Sequence, residues 1–431
     1  MAANNVLGRF LSKHRLTATQ YDPKTIIASF LEEMEMGLSG GKSCLAMIPS
    51  YLSLPEKAPK NEKIIVLDAG GTNFRTALIR FDRESAPHID YFANNAMPGT
   101  ERELTNEEFF NAIADYIRPV LSESNRIGFC FSYPATIDRQ RDGTLLYWTK
   151  EIKAPGVVGK KIAAGLVNTL KKRSFPLPAS VLILNDTVAS LLAGVSATKF
   201  SPLYRYAGFI LGTGTNTAYM ESNKRIIKAK GLDPSGSQAI NIEAANFNKI
   251  ERGDIDIAFD RKTNSPGKHV LEKMISGGYI GPFCHAALNA AASEKVLSPA
   301  AGRMLLERPQ FAARDLDAIL EGSFASKKAF AALTKEDALA VRTIVTEIVE
   351  RAAVLTAANL AAGVIKAADA GKSGKKVCIS ADGSVYYKLY SFRQRAEKIL
   401  SKVLEPYGIV YEIVKVEDAP IIGTAVAGLT G

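Results

Sequence analysis

The segment VLDAGGTNFRTAL (66–78) places a carboxylate, two glycines, two hydrogen-bonding side chains and a guanidinium between two apolar runs. The apolar runs are typical of the two strands of a β-hairpin, so the polar residues from Asp68 to Arg75 form its turn. Glycine leaves backbone N–H groups open to close approach by a phosphate, and the Thr72 hydroxyl adds a donor. The pattern predicts a phosphate-binding hairpin, although Gly-Gly-Thr also occurs in ordinary hairpin turns.

A second segment, FILGTGTNTAYM (209–220), repeats the order of apolar strand, Gly/Thr turn, Asn and apolar strand. A third turn, ADGSVY (381–386), follows another strand-like run. Each turn alone is weak support for a function, because such turns are common. Two matching hairpins on two α/β halves favour a phosphate group that is held from both sides of a cleft.

A further carboxylate, Asp186, follows the strand-like run VLIL (181–184) and precedes a helical pattern from Val188 to Ala193. Open α/β sheets bind ligands beyond the carboxyl ends of their strands, so this position favours contact between Asp186 and a ligand. The alternative is that Asp186 or Thr187 is simply the N-cap of the helix.

Three other segments carry side chains that suit a polyol, which presents hydroxyl groups on every edge and needs several acceptors and amides. The segments span residues 131–156, 240–247 and 265–281. They supply Ser132, Thr149, Lys150, Glu243, His269 and Glu272. The only tryptophan, Trp148, directly precedes Thr149 in the chain. A lone histidine is more often structural than functional.

The 431-residue chain has an ordinary globular composition, with 47% hydrophobic and 23% charged residues, and its length allows two or three domains. Four cysteines without metal-ligand spacing predict buried free thiols in a reducing compartment. The net charge of +10 is spread along the chain, so a solvated basic surface and an anionic small substrate explain it without a nucleic-acid partner. No run reaches the ~18 apolar residues that span a bilayer. We expect a cytoplasmic protein with no membrane partner.

Hydrophobic periodicity predicts strands that alternate with helices, which is the pattern of an α/β protein. Strand-like runs occur at 64–67, 76–81, 127–134, 181–186, 206–212, 217–221, 376–381 and 408–414. Helical patterns occur at 106–121, 160–172, 271–292 and 336–366, and residues 293–335 indicate a helical insertion.

The N-terminal region, residues 4–50, is predicted to form helices that are broken at Asp22-Pro23 and around residues 37–41. Its first helix is expected to be amphipathic. The residues near helical spacing are Val6, Phe10, Leu11 and His14. An organellar transit peptide is the alternative, because the first twenty residues are basic and contain no acid.

Eight motifs resemble those of the hexokinase/glucokinase family in order and approximate spacing, and the resemblance covers nearly the whole chain. The motifs are Asp68-x-Gly-Gly-Thr-Asn-Phe-Arg75, Phe131-Ser-Tyr-Pro134, Trp148-Thr-Lys150, Leu184-Asn-Asp-Thr187, Gly212-Thr-Gly-Thr-Asn216, Asn241-Ile-Glu243, Pro266-Gly-x-x-x-x-Glu-Lys-Met-Ile275 and Asp382-Gly-Ser384. The resemblance implies a two-domain actin-like ATPase fold, related to ribonuclease H, with a cleft between a small and a large domain.

The resemblance also implies the limits of the domains. Residues 1–63 form the N-terminal helices and connector of the large domain, 64–186 the small domain, 187–415 the large domain, and 416–431 a C-terminal helix that returns to the small domain. The two phosphate hairpins then lie on opposite sides of the cleft. The expected assembly is a monomer or a homodimer.

The implied reaction is transfer of the γ-phosphoryl group of MgATP to the 6-hydroxyl of a hexose, with glucose as the expected substrate. Asp186 is then the general base, and Lys150 stabilises charge near the transferring group. The implied sugar site consists of Ser132, Thr149, Lys150, Asn185, Asp186, Asn216, Glu243, His269 and Glu272. The implied ATP site consists of Asp68, Gly70, Gly71, Thr72, Asn73, Arg75, Gly212, Thr213, Gly214, Gly383, Ser384 and Val385. Asp68 also holds the Mg²⁺ ion through water.

Several loops depart from the family pattern and leave the preferred hexose open among glucose, mannose, fructose and amino sugars. Ala244–Asn248 replaces the usual Trp-Gly-Ala-Phe-Gly, Ala135–Arg139 replaces a Gln-rich loop, and His269 stands where Gln is usual. A Gly/Ser/Lys-containing turn is also replaced at 419–422. The rival functions are a non-catalytic sugar sensor, which requires no base, and a cytoskeletal filament, in which the sugar contacts have no purpose.

Overall fold

The computed structural model describes residues 2–148, 152–324, 330, 333–369 and 376–430. Within these residues the chain alternates strands and helices, as predicted for an α/β protein. The strands are β1 (Ile48–Pro49), β2 (Glu62–Ala69), β3 (Asn73–Phe81), β4 (Pro87–Ala96), β5 (Arg126–Phe131), β6 (Ala135–Ile137), β7 (Gly143–Leu145), β8 (Ser180–Leu184), β9 (Tyr204–Leu211), β10 (Thr215–Ser222), β11 (Ser237–Asn241), β12 (Lys376–Asp382) and β13 (Tyr411–Val414).

The helices cover both sheets and fill the space between them. They are α1 (Ala2–Lys13), α2 (Pro23–Ser39), α3 (Asn106–Ile117), α4 (Ile162–Lys172), α5 (Asp186–Ala197), α6 (Asp254–Asp260), α7 (Val270–Ile275), α8 (Ile280–Ser293), α9 (Pro299–Glu307), α10 (Leu316–Glu321), α11 (Lys335–Asp369), α12 (Ser384–Lys388), α13 (Phe392–Leu404) and α14 (Ala419–Thr430).

One sheet has five strands in the order β4–β3–β2–β5–β8. Strands β2 and β3 form an antiparallel hairpin, and β5 and β8 lie parallel to β2. The residues of β2 from Ile64 to Ala69 are all buried, because helices pack on both faces of the sheet. On one face, α3 and α4 contribute Phe109 and Leu166 to the core that contains Ile65.

The other large sheet has six strands in the order β1–β11–β10–β9–β12–β13. Strands β9 and β10 form the second predicted hairpin, while β12 runs parallel to β9. The two hairpins therefore occupy equivalent places in two different sheets. Both hairpin predictions are confirmed by the strand register, which pairs Asp68 with Arg75 and Leu211 with Thr215.

Helices α5 and α14 lie between the two sheets and contact both each other and neighbouring strands. The two helices approach closely, because a Cβ atom at Gly423 of α14 would lie 1.7 Å from the Ala189 carbonyl oxygen of α5. On the other side of α5, a Cβ atom at Gly208 of β9 would lie 2.4 Å from the Thr187 carbonyl oxygen. Glycine at both positions allows a thin packed layer to connect the sheets.

The N-terminal prediction holds for both helices. Helix α1 buries Phe10 and Leu11 on one face, as expected for an amphipathic helix. His14 is buried just beyond the end of the helix, but the prediction is wrong for Val6, which is 40% exposed. Helix α2 begins at Pro23 and is capped by Asp22, whose carboxylate accepts hydrogen bonds from the backbone of the first turn.

Two of the predicted helical segments differ from the structure. The segment 271–292 is not one helix but two, α7 and α8, because residues 276–279 are not helical. Helix α3 ends at Ile117 and continues only as a short 3₁₀ turn over Arg118–Val120. Strands β1, β4, β6, β7 and β11 were not predicted.

Helix α11 contains an 18-residue window that is long and apolar enough to cross a membrane, contrary to the expectation from the sequence. However, 89% of that window is buried inside the protein. The helix also carries Arg351, which is fully buried and donates two hydrogen bonds of 2.9 Å to the Asp256 carboxylate. We interpret α11 as the central core helix of the larger part of the chain.

All four cysteines are free thiols. The prediction of buried thiols is confirmed for Cys130, Cys284 and Cys378. It is wrong for Cys44, which is only half-buried, beside a backbone turn that bonds to Glu33.

Candidate active site

Residues outside the first hairpin fix the conformation of its turn by hydrogen bonds to the backbone carbonyl groups. The Gly71 carbonyl accepts from the Tyr133 hydroxyl at 2.6 Å, and the Thr72 carbonyl accepts from the Met97 N–H at 2.9 Å. Gly70, Thr72 and Asn73 are exposed at the tip. The turn is therefore anchored at its base and open at the tip, where an anionic group could approach it.

Asp68 lies at the base of the same hairpin and is only 5% exposed. Its neighbour in the β2–β3 register is Arg75, whose Nη1 lies 3.4 Å from Asp68 Oδ2. The arginine thus supports the carboxylate.

Asp186 begins α5 at the carboxyl end of β8. The side chain of Asn185 caps the helix by accepting a hydrogen bond of 2.9 Å from the Thr187 N–H. The alternative that Asp186 or Thr187 is the N-cap is therefore wrong. The Asp186 carboxylate accepts from the Thr187 hydroxyl at 3.1 Å and is half-buried, so a ligand can reach it.

Cys130 lies beside Asp68 in the sheet and was missed in the sequence. In the parallel strands β2, β5 and β8 its register neighbours are Asp68 and Leu184, so Asp68 and Cys130 point to the same face of the sheet. Burial raises the pKa of the Cys130 thiol well above its usual range, and the nearby charges of Asp68 and Asp186 raise it further. The thiol is therefore neutral, and both carboxylates lie close to it.

A network of amides from the other sheet supports Glu243. Asn216 Nδ2 donates to Asn241 Oδ1 at 2.7 Å, and Asn241 Nδ2 donates to Glu243 Oε1 at 2.8 Å. The side-chain oxygen of Asn216, Oδ1, in turn accepts from the Ala244 N–H at 3.1 Å. These bonds place two predicted sugar-binding side chains next to each other, and Asn241 connects them.

Glu243 is held in an unusual backbone conformation, with φ of 59°, which costs a non-glycine residue about 1–3 kcal/mol. Burial raises the pKa of the Glu243 carboxyl; the hydrogen bond from Asn241 lowers it, and the charge of Asp186 raises it again. The net direction is upward. Glu243 also lines a small cavity together with Asn185, the neighbour of Asp186, so this part of the second sheet faces the end of β8.

His269 and Glu272 lie at the start of α7. His269 is half-buried with φ of 53°, and its Nδ1 is buried without a hydrogen-bond partner among the described residues. Burial lowers the pKa of the imidazole, and Lys273 and Lys268 lower it further. The ring is therefore neutral at physiological pH and can hydrogen-bond to a ligand hydroxyl.

Glu272 connects the predicted sugar site with the second hairpin. Its Oε2 accepts a hydrogen bond of 3.1 Å from the Thr215 N–H. A Cβ atom at Gly214 would lie 2.6 Å from the same oxygen, so glycine permits this contact. One carboxylate thus contacts the turn that is predicted to hold ATP phosphates.

The second hairpin turn is packed against two glycines that sequence analysis did not single out as site residues. The Gly277 N–H donates to the Gly212 carbonyl at 2.7 Å, and the Gly278 N–H donates to the Thr213 carbonyl at 3.0 Å. The available sequence signal was the Gly-Gly pair that interrupts the helical pattern. These bonds fix the shape of the turn.

The third turn lies beside the second because β12 is the parallel neighbour of β9. Gly383 has φ of 114°, and a Cβ atom there would lie 2.2 Å from the Leu211 carbonyl. Ser384 and Val385 follow as the first residues of α12. Only glycine allows the chain to pass so close to the end of β9.

Ser132 follows β5 directly and is half-buried, and its N–H donates to the Ala69 carbonyl at 3.1 Å. Trp148 packs edge-on against Tyr133 and donates through Nε1 to the Ala154 carbonyl at 2.6 Å. The predicted site residues Thr149 and Lys150 lie outside the described residues.

A small cavity separates the two parts of the site. It is lined by Phe131, Tyr133 and Asn185 from one side and by Ser50, Asn241 and Glu243 from the other. Its volume of about 20 Å³ admits roughly one water molecule, so a hexose needs more room. A larger cavity of about 950 Å³ lies between α2, α11 and α13 and contains none of the predicted site residues.

Two family profiles described as Hexokinase match residues 206–430 and residues 7–196. Hexokinase-1 of Spinacia oleracea is 30% identical over 86% of this chain and 80% of its own length. Hexokinase-2 of Candida albicans is 28% identical over 94% of this chain and 88% of its own length. The chain belongs to the hexokinase family. Its members are ATP-dependent sugar kinases.

The solved structures agree with this assignment. The structure of a hexokinase from Schistosoma mansoni complexed with glucose covers the whole of both chains with a TM-score of 0.82 and 25% identity. The resemblance stated from the eight motifs, the actin-like ATPase fold and the reaction class of a hexokinase are thereby confirmed. The domain limits and the roles of individual site residues stay predictions.

Proposed function

We propose that this hexokinase transfers the γ-phosphoryl group of MgATP to the 6-hydroxyl of glucose, with Asp186 as the general base. The observation that carries the proposal is the position of Asp186. Asp186 follows β8, in the same sheet as the strand that carries Asp68, and the preceding residue, Asn185, lines a small cavity together with Glu243 of the other sheet. The proposed base thus lies in the region between Asp68, which suits a phosphate-bound metal, and Glu243, which suits sugar hydroxyls.

In the proposed step, the Asp186 carboxylate removes the proton from the 6-hydroxyl as that oxygen forms a bond to the γ-phosphorus. The bond between the γ-phosphorus and the β–γ bridging oxygen breaks, and ADP leaves with the electron pair. A positioned base typically contributes ~10²–10⁴-fold to the rate. Much of the remainder comes from positioning and charge stabilisation of a loose transition state.

The residues present fit a Mg²⁺ ion that arrives with ATP. The described residues contain no cluster of three or more His, Cys, Asp or Glu side chains that could bind a metal by themselves. Mg²⁺ keeps several waters and commonly uses one or two carboxylates together with substrate phosphates, and Asp68 is the carboxylate suited to that role. When bound, the ion neutralises charge on the phosphates.

The sugar would bind against Asn216, Glu243, His269 and Glu272 on one side and Ser132, Asn185 and Asp186 on the other. Since the cavity here holds about one water, the two sides would separate to admit the sugar and close around it. Closure would exclude water, which competes with the hexose as phosphoryl acceptor. Thr149 and Lys150 are proposed to act from the sugar side of the cleft, as the family motif implies.

The test is formation of hexose 6-phosphate with a panel of glucose, mannose, fructose and glucosamine, with and without ATP and Mg²⁺. We expect turnover that requires both ATP and Mg²⁺ and has the highest kcat/KM with glucose. Highest kcat/KM with another sugar would replace glucose in the proposal and keep the reaction. Binding of sugar and nucleotide without turnover of any hexose would favour the sensor function instead.

A further inference from the structure

A buried ion cluster joins α6, α7 and the loop between them, outside the groups assigned to the reaction. Asp260 is the last residue of α6, and Lys273 lies on α7; their side chains are 9% and 5% exposed. Lys273 Nζ donates to Asp260 Oδ1, and Arg252 Nη1 donates to Asp260 Oδ2 at 3.0 Å. We call this cluster, together with its bonds to the loop, the Asp260 clamp.

The clamp also fixes the loop itself. The Gly267 N–H donates to Asp260 Oδ2 at 2.9 Å, and Lys273 Nζ donates to the Ser265 carbonyl at 2.6 Å. Six of the nine residues in the loop 261–269 are exposed and the other three are half-buried. Because little apolar surface holds such a loop, its polar anchors decide its conformation.

The electrostatics of the clamp favour charged partners. Burial raises the pKa of the Asp260 carboxyl, but the hydrogen bonds from Lys273, Gly267 and Arg252 lower it by more, so the net direction is downward. Two opposite charges this deeply buried are costly unless they are paired and hydrogen-bonded. The buried charges of the clamp are fully paired, but hydrophobic residues would fill the same space without the cost of burying charge. The presence of charged residues therefore indicates a role beyond stability.

The loop ends at the predicted sugar-binding residues. His269 closes the loop in its left-handed conformation, and its carbonyl accepts from the Lys273 N–H at 3.1 Å. Glu272, adjacent to Lys273 in the chain, bonds instead to the second phosphate hairpin. Lys273 thus anchors the short helix α7 from its buried side while its neighbours reach the site.

We propose that the Asp260 clamp positions the side chains of His269 and Glu272 for binding the hexose, a role that rests on the proposed function. Asp260 and Lys273 do not touch the reacting atoms in this account. They act as positioning residues, through the loop 261–269 and through α7.

The experiment compares Lys273→Met with wild type by steady-state kinetics and by calorimetric titration with glucose. We expect the glucose KM and Kd to rise by roughly ten- to hundredfold, since a displacement of ~1 Å can cost that much. Lys273→Arg keeps the buried positive charge and is expected to recover most of the glucose affinity.

The chain offers a matched control one helical turn earlier on α6. Asp256 forms an even more deeply buried ion pair with Arg351, but neither residue bonds to the loop 261–269 in the described structure. Asp256→Asn is expected to lower the unfolding temperature and leave the glucose Kd unchanged. If Asp256→Asn raises the glucose Kd as much as Lys273→Met does, the effect is general destabilisation and the positioning role is rejected.

Hydrogen exchange tests the clamp independently of any sugar. The Gly267 and Lys268 amides are bonded in the loop, and we expect both to exchange faster in Lys273→Met. Unchanged exchange in Lys273→Met overturns the clamp, whether or not the wild type turns over a hexose. Absence of hexose turnover in the wild type refutes only the proposed function. Should Lys273→Met not fold, Arg252→Gln removes the most exposed of the three charged groups and is expected to shift the glucose Kd and the exchange rates in the same direction by less.

Discussion

Asn241 is the residue whose removal tests the sugar site most informatively. It is 5% exposed, and the two shortest hydrogen bonds of its side chain are 2.7 Å with Asn216 and 2.8 Å with the Glu243 carboxylate. Each such bond contributes about 0.5–1.5 kcal/mol, so Asn241→Ala should lower the free energy of unfolding by about 1–3 kcal/mol. Loss of about 1.4 kcal/mol of glucose binding would raise the glucose KM tenfold.

Asn359 provides a matched control. It is also a buried asparagine, 1% exposed, and its Oδ1 accepts a hydrogen bond of 3.1 Å from the Thr217 hydroxyl. Thr217 follows Asn216 in β10 but points into the core, so Asn359→Ala should reduce stability by about 0.5–1.5 kcal/mol without changing the glucose KM.

The assay is the glucose KM of both variants, together with denaturant unfolding. We predict that the KM rises about tenfold in Asn241→Ala and stays at the wild-type value in Asn359→Ala. An unchanged KM in Asn241→Ala, or an equal rise in both variants, would refute the reasoning that the amide network positions Asn216 and Glu243.

Three further predictions concern other parts of the site. The pKa of Glu243 is raised in the folded state, so its ionised form lowers stability above that pKa, and this cost vanishes below the pKa that Glu243 has in the unfolded chain. Glu243→Gln should therefore raise the unfolding temperature at pH 7 but not at pH 4, and should weaken glucose binding. Equal shifts of the unfolding temperature at both pH values would contradict this. Gly383→Ala should lower the free energy of unfolding by about 1–3 kcal/mol from backbone strain alone, and by more because the new Cβ atom clashes with Leu211. It should also raise the KM for ATP. The control is Gly159→Ala, which has open space around the new Cβ atom and should leave the KM for ATP unchanged. Glucose should shift the fluorescence of Trp148, and unchanged emission at saturating sugar would argue against closure at this site.

Features that depend on neighbouring residues in the chain could be predicted from the sequence. The hairpin at 66–78 is determined by two apolar runs and a Gly-rich turn, and the register of β2 and β3 follows from them. The helix start at Pro23 has an aspartate cap and a proline at its first position, both of which are local signals. The motif order was sufficient to identify the family.

Features that depend on tertiary packing could not be predicted. The segment 271–292 has a helical pattern on both sides of a Gly-Gly pair, but the Gly277 and Gly278 N–H groups bond to the second hairpin instead of continuing a helix. Cys130 looks like an ordinary strand residue until the parallel register brings it beside Asp68. Asn241 connects Asn216 and Glu243 only because β10 and β11 are paired.

The general base is the central claim, and Asp186→Ala tests it most directly. The measurement is kcat for hexose 6-phosphate formation beside a calorimetric Kd for glucose. The account predicts that kcat falls by ~10²–10⁴-fold while glucose binding is largely retained. A fall of less than about tenfold, or a loss of turnover that merely follows a loss of glucose binding, would contradict the role of Asp186 as the base.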